Sequence, residues 1–242
     1  MSNEKMTKPV LYYPASVLLL IISCGISLES VQAEPIYSTV IQKNTPDKHL
    51  LLNGRIWRNQ YSNASGDQFF LTNTFLRGSV TFNGLRFNNL DLKYDITNDE
   101  LILSIESYPI IFMNKEMVDS FTLVFENRDY KVINAETDTF DVLRGYVNVL
   151  YDGPTALYVK YIKKIQPLAV DGRYDLFVQE HRIYLRKGTV IVPVKGKRNL
   201  LNLLEDKKKE IRYFIRNSRF KIVRKDPVTF IPLLEYYDSI RK

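Results

Sequence analysis

The sequence predicts an α+β fold that is mostly β: an antiparallel sheet, as an open barrel or a sandwich, with C-terminal helices. Three observations predict it. Short apolar runs separated by turn dipeptides recur from Asp67 to Val194. Tyr and Phe are abundant, with 16 and 13 residues, and with Val and Ile they favour strands. Beyond Lys197 the apolar period changes from that of a strand to that of a helix.

The elements follow in order. Lys5 and Lys8 precede a short apolar run over residues 16–28, and Val31-Gln32-Ala33 closes it with small residues at the cleavage positions. This is the layout of a secretory signal, so residues 1–33 are assigned to a signal peptide. A second processing route stands beside it. Residues 21–24 (IISC) form a loose lipobox, in which Cys24 is lipidated and becomes the first residue. Either route gives export to the periplasm, the outer membrane or the exterior. Cleavage after Ala33 removes the one cysteine, and with it disulfides, thiolate catalysis and Cys-based zinc sites.

Residues 34–196 form the expected β domain. Residues 44–47 (NTPD) and Asn53-Gly54 mark turns around Leu50, Leu51 and Leu52, which should pack on the body. Residues 78–82 (GSVTF) and 85–87 (LRF) flank Asn83-Gly84, the pair that best suits a type I′ hairpin. Leu90, Leu92, Tyr94 and Ile96 alternate with Asp91, Lys93 and Asp95, as in a sheet wetted on one side. Asn98-Asp99 turns the chain into residues 101–105, and strands follow at 121–125 and 130–133. Asp152-Gly153 joins 147–151 to 156–162 as a second hairpin. Strands at 174–179, 183–186 and 190–194 complete the run, with Glu180, His181 and Arg182 as a connection.

Residues 197–242 form the expected helical tail, packed on the β domain. Leu200, Leu204, Ile211 and Ile215 share one helical stripe. Asn217-Ser218 ends that helix, and Asp226-Pro227 caps a last one. From Lys195 to Lys225 there are twelve basic residues against three acidic, a net of +9, whereas the whole chain carries +7. Lys207, Lys208, Lys209, Arg212 and Arg216 should therefore make an exposed anion-binding patch. Its expected partner is an anionic lipid, a glycan or an envelope protein. Export argues against nucleic acid.

No catalytic signature emerges. The chain has no Gly-x-Ser-x-Gly elbow and no phosphate loop. Its two histidines, His49 and His181, exclude a histidine-rich metal site, and no cofactor is expected. The carboxylate groups at Glu136, Asp138 and Asp141 and at Asp91, Asp95 and Asp99 lack calcium-loop spacing and suit solvated strand faces. The favoured reading is thus a non-enzymatic binding or scaffold protein. Its alternatives are a hydrolase using Asp138 and Asp141, or a lipid or lipoprotein carrier.

Residues 51–57 (LLNGRIW), 78–84 (GSVTFNG) with 87–95 (FNNLDLKYD), and 206–215 (DKKKEIRYFI) with 233–237 (LLEYY) resemble an uncharacterised family of secreted or periplasmic Bacteroidetes proteins. The resemblance implies export from a two-membrane cell. It brings no established activity and no active-site residues.

Overall fold

The structure is a computed structural model that describes residues 46–135, 142–218 and 221–241. The signal segment with Cys24 and Ala33, and the carboxylates Glu136, Asp138 and Asp141, lie outside the described residues.

The strands are β1 (Gly54–Ile56), β2 (Ala64–Ser65), β3 (Leu76–Phe82), β4 (Leu85–Asp95), β5 (Glu100–Ser104), β6 (Ile111–Met113), β7 (Val118–Phe125), β8 (Arg128–Asn134), β9 (Tyr146–Asp152), β10 (Thr155–Val170), β11 (Tyr174–Lys187) and β12 (Val190–Pro193). They form one sheet in the order β1-β6-β5-β4-β3-β7-β8-β9-β10-β11-β12. Each neighbouring pair on that path is antiparallel, and the short β2 adds a parallel contact to β11. The sheet is not closed into a barrel. Three helices follow it: α1 (Lys197–Leu203), α2 (Lys208–Asn217) and α3 (Ile231–Ile240).

Turn chemistry sets the register. Asn83 and Gly84 have φ of 47° and 76°, the left-handed pair of a type I′ turn, and they join β3 to β4 with Phe82 opposite Leu85. The Gly84 amide donates to Asp119 Oδ2 at 2.8 Å, fixing the turn against β7. Asp152-Gly153 joins β9 to β10 as expected. Here the glycine serves close approach: a Cβ on Gly153 would come within 3.0 Å of Asp238 Oδ2.

The largest core lies within the sheet itself. Leu90, Leu92, Tyr94, Ile96, Leu101, Leu103, Phe121, Leu123 and Tyr146 are buried together, and Leu51 reaches the same cluster. Leu157 and Val159 on β10 and Ile183 and Leu185 on β11 belong to a second core, closed by the helices. Tyr161 packs against both.

Three sequence expectations give way here. Leu50 is 53% exposed, so of the apolar stretch 50–52 only Leu51 and Leu52 pack on the body. Asp95 is not on a wetted face but is buried, 1% exposed. It accepts hydrogen bonds from the Thr97 and Asn98 amides and from Asn98 Nδ2, each at 2.9 Å, and so builds the turn into β5. Residues 180–182 are not a connection: one strand, β11, runs through them. Its polar run is tolerated because Glu180 meets Lys164 at 2.7 Å and half-buried His181 meets the Arg224 carbonyl at 2.8 Å.

Candidate anion-binding interface

The tail is built by sealing one side of each helix. Leu200, Leu204, Ile211, Phe230, Leu233, Leu234 and Tyr237 are fully buried against β10 and β11, and Ile215 is partly buried beside them. The stripe expected from the sequence is therefore the packed one. The stretch after Lys197 is two helices, however, split by a 3₁₀ turn at Glu205–Lys207. Ser218 Oγ donates to the Phe214 carbonyl at 2.7 Å at the end of α2. The Asp226 side chain accepts from the Val228 amide, capping a 3₁₀ turn at Pro227–Phe230 that leads into α3.

Two carboxylates tie the tail to the sheet. Asp206, at the break between α1 and α2, accepts from Lys187 Nζ of β11 at 2.7 Å and from the Tyr237 hydroxyl at 2.9 Å. Burial opposes ionisation of Asp206, but these hydrogen bonds outweigh it and hold the carboxyl below its ordinary value. Asp238 Oδ2 on α3 accepts from the Tyr151 hydroxyl at 2.9 Å and from the Thr155 amide and hydroxyl at 3.0 Å each. Burial and the Asp238 carboxylate together push the Tyr151 hydroxyl up to about 12.

The expected cationic patch divides. Lys209, Arg212 and Arg216 are exposed. Lys207 and Lys208 are half-buried, because the 3₁₀ turn folds them back toward α1, where Lys208 Nζ donates to Asn202 Oδ1 at 3.1 Å. Sequence reasoning missed Tyr213, which is 64% exposed. Positions 209, 212, 213 and 216 share one face of α2, so an aromatic ring stands inside a row of three cations. Behind it, Phe214 stacks on Tyr236 of α3 with centroids 4.3 Å apart and planes at 7°. The inner face holds α2 in place while the outer face presents charge.

A second polar centre was legible only as an acidic repeat. Asp99, at φ 59° in the β4–β5 turn, is half-buried and ion-paired, not a freely solvated strand residue. Its carboxylate accepts from Lys160 Nζ at 2.6 Å, Lys115 Nζ at 2.8 Å, the Tyr94 hydroxyl at 2.7 Å and the Tyr146 amide at 3.3 Å. Burial raises the Asp99 pKa, but the Lys160 charge and the hydrogen bonds from both lysines and Tyr94 dominate and leave it lowered. Burial, then the Asp99 charge, drives the Tyr94 hydroxyl well above its ordinary value. Gly145 at φ 69° passes so close that a Cβ there would overlap Asp99 Oδ2.

Among the described residues no group of three or more His, Cys, Asp or Glu is placed to hold a metal ion. Between sheet and helices, Phe230 and Leu234 are fully buried in the second core. Comparison with protein-family models, curated proteins and solved structures gave no significant match.

Proposed function

We propose that this is an exported envelope protein that acts by binding, and that its tail docks on an anionic lipid surface. The outer face of α2 carries this reading: Lys209, Arg212 and Arg216 flank exposed Tyr213 on a helix whose other side is sealed. Basic residues near anionic lipid contribute roughly 1 kcal/mol each. A tyrosine suits the boundary between headgroups and acyl chains, with its ring in the apolar zone and its hydroxyl in the wet one. Three cations and one ring give weak, reversible attachment. A lipid on Cys24 would supply the second anchoring contribution that stable attachment needs. The signal-type layout of residues 1–33 and the family resemblance support export.

Vesicle co-sedimentation tests the docking. The protein should pellet with anionic vesicles at low salt, stay soluble with neutral ones, and release as screening shortens at high salt. A triple reversal, Lys209→Glu with Arg212→Glu and Arg216→Glu, should abolish pelleting without changing the fold, because these side chains are exposed. Equal retention on neutral and anionic vesicles would leave α2 a structural helix. The intact mass from the native host tests export, which predicts loss of residues 1–33, or of 1–23 with a lipid on Cys24.

A further inference from the structure

We infer that the sheet carries a second site, on the face away from the helices: a pocket for one tetrahedral oxyanion, such as a phosphate group, held by Arg144, Lys160 and Arg182. Side chains alternate along a strand. Leu157, Val159, Ile183 and Leu185 face the helices, so Lys160, Arg182 and Tyr184 face the other way. There a cavity of about 200 Å³ is lined by these three residues together with Arg144, Leu143 and Val147. That volume is below the roughly 300–1,000 Å³ of drug-sized sites and suits a small polar group.

The charge arrangement is what calls for an anion. Lys160 and Arg182 stand directly opposite each other on β10 and β11. Like charges opposed across strands are destabilising unless something compensates them. Asp99 compensates Lys160, drawing its ammonium to 2.6 Å, and the Tyr146 carbonyl accepts from the same group at 2.9 Å. Among the described residues no carboxylate serves the arginines as closely, although the Arg182 charge, behind the Lys164 hydrogen bond, acts on Glu180 and helps lower its pKa. Glu180, the acid two residues from Arg182 on the same face, pairs with Lys164 at 2.7 Å. No carboxylate among the described residues makes a salt bridge to Arg144 or Arg182. Arg144 is brought to the rim by Gly145, whose left-handed backbone lets the chain press against Asp99. Two arginines and one lysine therefore line a single recess, with Tyr184 beside them. Planar forks match the paired oxygens of phosphate or sulfate, and a spherical halide cannot use them in the same way.

Isothermal titration calorimetry of the chain with inorganic phosphate, sulfate and chloride at matched ionic strength tests the site. Phosphate should bind saturably and chloride should not. Arg182→Gln and Arg144→Gln should each weaken phosphate at least tenfold, whereas Arg212→Gln with Arg216→Gln on α2 should leave it unchanged. Arg182→Lys, which keeps the charge but loses the fork, should fall between wild type and Arg182→Gln. Because Arg144 precedes β9 in a loop, its variant still reads the site if Arg182→Gln fails to fold. Methyl phosphate is the last arm. Binding at least as tight as inorganic phosphate assigns a phosphomonoester as ligand, and weaker binding assigns the free ion. The same heat from chloride as from phosphate would overturn the inference, as would phosphate binding untouched by both arginine variants.

Discussion

The two cores of this molecule are closed by different means. The first is aromatic and closes within the sheet: Tyr94, Phe121 and Tyr146 meet edge to face with centroids 5.1–5.6 Å apart. Its Tyr94 hydroxyl and Tyr146 amide both donate to one carboxylate, Asp99. The second is mostly aliphatic and does not close within the sheet. Leu157, Val159, Ile183 and Leu185 are covered only when α1, α2 and α3 lie over them. The difference teaches why the tail has a cationic exterior. A helix recruited to finish a core must be apolar inside, but its outside is free to carry charge for another purpose.

The sharpest way to break this comparison is to remove a large side chain from the second core. Phe230→Ala should cost about 3–5 kcal/mol, as for other buried Phe truncations. Urea unfolding followed by tyrosine fluorescence reads the loss. Hydrogen exchange should show protection falling in β10–β12 while β3–β5 keep theirs, because those strands share Leu92, Leu101 and Leu103 with the first core. Uniform loss of protection across both halves would make the two cores one cooperative unit.

The first core is tested at its polar centre. Asp99→Ala takes one carboxylate partner from Lys115 and Lys160 and removes the Tyr94 hydroxyl's acceptor at 2.7 Å. Removing one partner from a buried pair costs about 3–5 kcal/mol. Asp99 and its lysines keep 15–25% of their side-chain surface, so about 2–4 kcal/mol is expected here. Asp238→Ala, which cuts three hydrogen bonds between α3 and the β9–β10 hairpin, should cost less, about 1–3 kcal/mol. Thermal unfolding of the two variants ranks them. The reverse order would place the main electrostatic tie in the tail.

Much of this was legible in the sequence, for reasons that differ by element. Asn83-Gly84 announced its hairpin because its left-handed conformation is cheap for those two residues. Glu126 and Asn127 adopt the same kind of turn, at φ 49° and 58°, with no glycine to signal it. The stripe Leu200, Leu204, Ile211 was readable because helical spacing is local. The continuity of β11 through Glu180, His181 and Arg182 was not, because it depends on partners from β10 and from residue 224. Asp95 and Asp99 read as solvated because alternation says which face a residue takes. It does not say whether a lysine from a strand sixty residues away will meet it there.

That pair of aspartates, four residues apart, gives the smallest effect and the most specific one. Burial raises the Asp95 pKa above its ordinary value of 3.8, outweighing the hydrogen bonds from Asn98 and Thr97 that lower it. The Asp99 pKa is lowered. Where the folded pKa is raised, the folded state binds the proton more readily, so stability rises as pH falls through the raised value toward the unfolded one. Where it is depressed, stability is complete above the unfolded pKa and is lost as pH falls through the folded value. Acidification should therefore act in two stages. Above the ordinary aspartate value, protonation of Asp95 adds stability, and below it, protonation of Asp99 removes it. Urea midpoints measured from pH 7 to pH 2.5 should show the shallow rise and then the fall. Asp95→Asn should delete the rise and keep the fall, and Asp99→Asn should flatten the acid limb from a lower starting midpoint. An acid limb of unchanged slope in Asp99→Asn would move the acid sensitivity to Asp206, the other aspartate whose pKa is lowered by a lysine and a tyrosine hydroxyl, and so from the first core to the second.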